Sequence, residues 1–322
     1  MDFKAIYSVV DADFKAVNDL IVRQMHTQVP FIEQVGRYII DSGGKRLRPL
    51  VCLLSARALG YQGTDHLTIA AVVEFLHTAT LLHDDVVDAS NLRRGRATVN
   101  AVWGNAPSVL VGDFLISRAF QMIVGVGSMK VLQIISDATN LIAEGEVLQL
   151  VNCKNPETSE DSYFRVIHYK TAKMFEAAAQ SGAVLAKPRE EQELALANYA
   201  AAVGSAFQLV DDVLDYTGNA ETMGKNVGDD LAEGKPTLPL IHAIRHAAPD
   251  KAQVIRDAVR NGGLDRLDEI VSTVQECGAL EYTMRRAREK VQEAKDQLSV
   301  LPESLHKDAL LALADLAIQR DH

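Results

Sequence analysis

The sequence predicts an all-α fold built as one large domain of many helices, and three observations predict it. Apolar residues recur at three- and four-residue steps nearly end to end, as in Ile69, Val72, Val73, Leu76 and Thr80, or Leu194, Ala197, Ala201 and Ala202. Alanine is abundant, whereas strand-length alternation of Val, Ile and Thr is scarce. Segments 70–82 and 203–214 are apolar around most of their circumference, which suits helices shielded on every side at the centre of a bundle.

The breaks between helices follow in order from residues that cannot continue one. Gly43-Gly44, Gly60, Pro107, Pro156, Pro188, Gly218, Gly234 to Pro236, Pro249 and Pro302 mark them. One helix runs from Phe114 to Val124, and the region 250–322 reads as amphipathic helices that support the bundle. No low-complexity linker or shift in composition divides the 322 residues, so the expectation is a single domain over 1–322.

Composition narrows the function. Hydrophobic residues make up 48% and charged residues 24%, an ordinary globular balance that fills a sizeable core. A net charge of -10 and a pI near 5.4 argue against nucleic acid as a partner, which needs a basic stripe. Cys52, Cys153 and Cys277 have no CxxC spacing and fit neither a disulfide framework nor a zinc site, as expected in a reducing compartment. The N-terminal segment carries acids where a secretion signal carries basic residues. No stretch reaches the ~18 uninterrupted apolar residues of a membrane span. The expected location is the cytoplasm.

One acidic pattern occurs twice inside apolar surroundings, as Asp84-Asp85-Val86-Val87-Asp88 and Asp211-Asp212-Val213-Leu214-Asp215. Isolated carboxylates bury at a cost of several kcal/mol or neutralise themselves. On a helix Asp84 and Asp88 share a face, with Asp85 beside them, and Asp211, Asp215 and Asp212 repeat the arrangement. Taken singly, such a cluster is as readily a surface face or a helix cap. The duplicate favours a multiply charged cation. Magnesium suits it, because that ion takes one or two carboxylates, keeps waters and completes its octahedron with phosphate oxygens. Cations stand close by in sequence: Gly43-Gly44-Lys45-Arg46-Leu47-Arg48 before a helix, and Arg93-Arg94-Gly95 after the first acids. Guanidinium groups bind phosphate bidentately and lysine acts as a point charge. Lys170-Thr171, Gly224-Lys225 and Gly234-Lys235 are weaker candidates, since lysines most often solubilise a surface.

The ordered set GGKRLRP, EFLHTATLLHDDVVD, RRG, GDFL, YKTA, FQLVDDVLD and GKNVGDDLAEGKPTLP resembles the trans-prenyltransferases, or E-isoprenyl diphosphate synthases, over nearly the whole length. Within that family the chain looks most like the bacterial long-chain type, with an octaprenyl chain as the expected product. The resemblance implies an isoprenoid synthase-like helical bundle around a central cavity, usually a homodimer. It implies about three magnesium ions between the acids and an allylic diphosphate, farnesyl diphosphate being the expected primer. By the same carry-over Asp84, Asp88 and Asp211 are metal ligands, with Asp85, Asp212 and Asp215 nearby. Lys45, Arg48, His77 and Arg94 match the positions that hold isopentenyl diphosphate. Arg93, Lys170, Thr171, Gln208, Lys225 and Lys235 match those around the allylic diphosphate.

In that family the helix before the first acids lines the tunnel for the growing chain. Leu76, Ala79 and Thr80 lie there, and two small residues just under the acids imply a tunnel open past fifteen carbons. Ala79 is also the kind of residue that simply permits close helix packing. Phe120, Met122 and Ile123 are candidates for the tunnel floor. A product of that length is strongly apolar, which implies transient membrane contact on release. Three other readings compete: a terpene cyclase, whose second motif departs from DDxxD; a phosphohydrolase using His83-Asp84; and a regulatory subunit, which would lack motif residues.

Overall fold

The computed structural model describes residues 1–217 and 228–319, and these are helical almost throughout. The first half of the chain runs α1 (Phe3–Val9), α2 (Asp11–Gln24), α3 (Pro30–Ile40), α4 (Leu47–Ala58) and α5 (Asp65–Val87). A hairpin of β1 (Leu92–Arg93) and β2 (Arg96–Ala97) leads to α6 (Val99–Trp103), α7 (Asn105–Val126) and α8 (Met129–Asn152). Then come α9 (Glu160–Ile167), one π-helical turn (His168–Ala172), α10 (Lys173–Leu185) and α11 (Glu190–Thr217). Beyond residue 228 lie α12 (Asp229–Ala232), α13 (Leu238–His246), α14 (Pro249–Asn261), α15 (Leu267–Glu276), α16 (Ala279–Gln297) and α17 (Leu305–Ala317).

These elements form two compact units. The first comprises Met1–Thr139, Met174–Ala200 and Gln297–Leu313, and the second Asn140–Lys173, Ala201–Asp296 and the stretch from Ala314.

In the first unit α5 is the central helix, packed against α2, α4 and α7. It is apolar on almost every side, and Ile69, Ala70, Val72, Val73, Phe75, Leu76, Ala79 and Leu82 are all buried. Leu50, Val51, Leu53 and Leu54 bury α4 in the same way. Helix α10 comes so close to α4 that a Cβ on Gly182 would lie 2.4 Å from the Cys52 carbonyl oxygen, so only glycine serves there. Pro107, expected as a break, lies just inside the start of α7, where the N–H it lacks would have no intrahelical partner.

Among the described residues α7 alone is long and apolar enough to cross a membrane, with a mean hydropathy of 1.6. Asp113 and Arg118 interrupt it, and Val111, Leu115, Ala119 and Ile123 turn its apolar side into the unit. The helix expected over Phe114 to Val124 is the later part of this element.

Described apolar residues of the second unit gather in two clusters. One gathers Leu231, Leu240, Ile244, Ile255, Val259, Ile270 and Val274 around Tyr216. The other joins Tyr163 and Ile167 to Leu209, Val210, Leu238 and Ile241. No disulfide joins Cys52, Cys153 and Cys277.

Candidate active site

Each unit carries one of the two acid clusters. In the first unit Asp84 and Asp85 occupy the last turn of α5, and Asp88 is its C-cap, with its N–H donating to the Asp84 carbonyl at 2.8 Å. Three acids at a helix C-terminus face the negative end of the helix dipole. That arrangement is unfavourable unless a cation joins it. Asp84 and Asp88 are half-buried. Asp85 is 2% exposed and has a partner of its own: its Oδ1 accepts from Arg93 Nε at 2.9 Å and Nη2 at 2.8 Å. The Asp85 backbone carbonyl also takes the Asn100 side-chain amide at 3.0 Å. Asp85 thus pins the hairpin to the end of α5.

That hairpin pairs Leu92 with Ala97 and Arg93 with Arg96, and its two turn residues, Arg94 (φ 52°) and Gly95 (φ 72°), are both left-handed. This is the backbone twist that two-residue hairpins need. It carries Arg94 to the glycine loop, where the guanidinium donates to the Gly43 carbonyl.

The glycine loop enters α4 through Arg46 (φ 43°), which donates to Asn18 Oδ1 and lies 3.8 Å from Glu74. Lys45 sits with its ammonium 5.2 Å from the Phe3 ring centre. Arg48 stacks over Phe175 at 4.5 Å, and its Nη1 lies 3.2 Å from His77 Nε2. Burial, together with the charges of Arg48, Arg94 and Arg93, holds His77 well below the usual imidazole range. A neutral His77 therefore accepts the Arg48 hydrogen bond. Arg46, His77, Arg93 and Arg94 line one pocket in this unit, together with Glu74 and Asp85. Glu74 is a half-buried acid among these cations, pushed up by desolvation against the pull of Arg46, Arg48 and Arg94.

Beneath the acids, Ala79 is fully buried, Leu76 is buried and Thr80 is half-buried. The Thr80 hydroxyl donates to the His77 carbonyl at 2.7 Å. Of the tunnel-floor candidates Met122 and Ile123 are buried and Phe120 is partly exposed. His83 turns to α7, with Nε2 3.1 Å from the Val109 carbonyl and 3.5 Å from Asp113. It braces two helices, which removes the basis for a His83-Asp84 phosphohydrolase pair.

In the second unit Asp211, Asp212 and Asp215 occupy the last turns of α11. Asp212 is 1% exposed; its Oδ2 accepts from the Tyr163 hydroxyl at 2.5 Å and its Oδ1 from Gln208 Nε2 at 2.9 Å. Thr171 Oγ1 donates in turn to Gln208 Oε1 at 3.1 Å, which fixes the amide. Burial and the nearby Asp230 charge push Asp212 well above the carboxylate range. Lys170 lies in the π-helical turn, and its ammonium reaches Glu146 at 2.7 Å and Gln149 at 2.8 Å. Gly145 allows this turn to approach, because a Cβ there would lie 2.8 Å from the Lys170 backbone nitrogen. Lys235 pairs with Glu233, and its N–H donates to the Asp230 carbonyl at 2.8 Å. Gly218, Gly224 and Lys225 lie outside the described residues.

Among the described residues no three His, Cys, Asp or Glu side chains converge to hold a metal ion by themselves. The acids at the ends of α5 and α11 are hard oxygen donors, the kind magnesium takes alongside water and phosphate.

A scaffold helical but for one short hairpin, bearing these acid and cation clusters, is that of a prenyltransferase. Residues 29–275 match the family model for polyprenyl synthetase, and the chain belongs to that family. It is 53% identical over 323 residues to the octaprenyl diphosphate synthase of Haemophilus influenzae, covering 100% of this chain and 98% of the relative. The octaprenyl diphosphate synthase of Escherichia coli is 52% identical over 322 residues, with 100% of both chains covered. A crystal structure of polyprenyl synthase from Caulobacter crescentus, complexed with calcium and isoprenyl diphosphate, superposes with a TM-score of 0.96. It is 42% identical and covers 100% of this chain and 98% of its own.

Sequence reasoning did not single out Tyr163, Glu146, Gln149 or Glu74. Glu74 had a signal of the same kind as the aspartates, an acid inside the apolar run VVEFLH, but without a second copy.

Proposed function

We propose that the chain is a long-chain trans-polyprenyl diphosphate synthase that adds isopentenyl diphosphate units to an allylic diphosphate. Farnesyl diphosphate is the primer in this reading, and an octaprenyl chain destined for a quinone is the product. The observation that carries it is the end of α5, where Asp85, flanked in the acidic motif by Asp84 and Asp88, lines a pocket with Arg46, His77, Arg93 and Arg94. Full-length identity to octaprenyl diphosphate synthases supports the product class.

Asp84, Asp88 and Asp211 are assigned as magnesium ligands, for about three ions with substrate bound. When bound there, magnesium would supply positive charge next to the diphosphate. Lys45, Arg48, His77 and Arg94 hold isopentenyl diphosphate, and the neutral His77 keeps Arg48 aimed. Arg93, Lys170, Thr171, Gln208, Lys225 and Lys235 hold the allylic diphosphate. As the allylic C–O bond breaks, charge grows on the departing diphosphate. Arg93, Lys170 and Lys235 stabilise that charge more than they stabilise the intact ester. The isopentenyl double bond attacks the allylic cation, and the departing diphosphate takes the proton that is then lost. Asp85 acts through Arg93, and Asp212 and Asp215 complete the second acid cluster. Leu76, Ala79 and Thr80 set how far the chain extends.

The whole of 1–322 is read as one synthase domain working as a homodimer in the cytoplasm, with transient membrane contact for product release. Exposed apolar side chains on α7, Leu110 and Val124 among them, support the dimer. The test is whether diphosphate release depends on isopentenyl diphosphate. Release from the allylic substrate alone, with a cyclic hydrocarbon formed, would favour a cyclase.

A further inference from the structure

We infer that α1 is a clamp on the Lys45 loop, with Tyr7 and Phe3 as positioning residues for the subsite that binds isopentenyl diphosphate. The inference rests on the assignment of Lys45 to that subsite.

The loop into α4 has Gly43 at φ 74°, Gly44 at φ 144° and Arg46 at φ 43°. A non-glycine residue in the left-handed region is strained, so the surroundings must hold it there. Two of the holds come from neighbours already met. Arg46 is tied to Asn18 and Glu74, and Arg94 donates to the Gly43 carbonyl. Arg94 lies so close to Gly44 that a Cβ there would be 2.5 Å from its Nη1.

The remaining holds come from α1, which belongs to none of the motifs. The Tyr7 hydroxyl donates to the Lys45 carbonyl. One turn earlier on the same helix face, the Phe3 ring lies under the Lys45 ammonium at 5.2 Å. One residue therefore has its backbone and its charged end held by the same short helix. Tyr7 is built to be a donor: burial, and then the Glu74 charge, push its phenol up to about 12. Its ring is braced edge-on by Phe14 at 4.9 Å. The helix is itself fixed at its start by Asp2, which accepts from the Ala5 N–H at 2.7 Å. Through these contacts α1 sets where the Lys45 charge points when a diphosphate arrives.

The experiment compares wild type, Tyr7→Phe and Phe3→Leu in steady-state kinetics, varying each substrate separately. Tyr7→Phe keeps the ring against Phe14 and removes only the donor. It is expected to raise KM for isopentenyl diphosphate about three- to tenfold, the worth of one hydrogen bond. Phe3→Leu is expected to raise it about threefold. KM for the allylic substrate and kcat should stay within about twofold of wild type, and thermal midpoints should fall by no more than about 3 °C. Equal rises in both KM values, or a Tyr7→Phe protein with unaltered KM for isopentenyl diphosphate, would overturn the clamp. Wild-type condensation tests the function separately, so a condensing wild type matched by Tyr7→Phe removes the clamp alone.

Discussion

Asp85 and Asp84 are neighbours in one motif; Asp85 is paired with Arg93 at the hairpin in a contact that buries it, and substitution tests whether the two do different work. Asp85 is 2% exposed and takes two N–H groups of Arg93 at 2.9 and 2.8 Å, while the Arg93 side chain is 29% exposed. Removing the guanidinium leaves a carboxylate buried without its counter-charge, which costs about 3 kcal/mol. For a chain of this size that lowers the thermal midpoint of Arg93→Ala by about 4 °C. Asp85→Asn keeps an acceptor of the same shape and loses less, and the double variant recovers part of the loss, because no charge is then stranded. The kinetic arm titrates magnesium at saturating substrates. Asp84→Asn should raise the half-saturating magnesium concentration about tenfold or more, a lost charge-assisted contact being worth at least about 1.4 kcal/mol. Asp85→Asn should leave it within about twofold and raise KM for the allylic substrate instead. An Asp85→Asn protein as starved of magnesium as Asp84→Asn would refute the reasoning. So would an Arg93→Ala protein as stable as wild type.

Ala79→Phe should shorten the product without stopping turnover, as read by product mass, and should lose roughly 1–3 kcal/mol of stability because Ala79 is fully buried; full-length product from this variant would remove Ala79 from the tunnel. Gly145→Ala should lower kcat/KM for the allylic substrate at least tenfold, because its methyl would press on the Lys170 nitrogen and the Tyr169 Cβ. Unaltered kinetics would show that the π-helical turn tolerates displacement. His77, held well below the usual range when folded, takes up a proton near 6.5 when unfolded. Between those values the unfolded state binds more protons, so stability falls as the pH drops below about 6.5. His77→Gln should therefore show a flatter fall in thermal midpoint from about pH 6.5 to 5 than wild type; parallel curves would contradict the assignment.

The central helices were legible because their apolar character leaves little choice. Segment 70–82 lies within α5 and 203–214 within α11, and neither could face water on any side. The acid motifs were legible for the same reason, since burying an aspartate demands a partner. The identity of that partner was not. Asp85 meets Arg93 through a hairpin whose turn puts Arg94 at a positive φ, a conformation that arginine does not advertise. Tyr163 meets Asp212 across 49 positions in sequence, and no local period connects them. The π-helical turn at Lys170 was invisible, because it widens only one apolar step by a single residue in a helix whose neighbouring turns are regular. The clamp by Phe3 and Tyr7 was hidden in an ordinary amphipathic opening.

The most direct measurement incubates the purified chain with farnesyl diphosphate, isopentenyl diphosphate and magnesium and reads the products by mass. The account predicts a ladder of prenyl diphosphates, each one isopentenyl unit longer than the last, ending at the octaprenyl chain. Primer that returns no longer than it went in, with magnesium present and the protein folded, would contradict it.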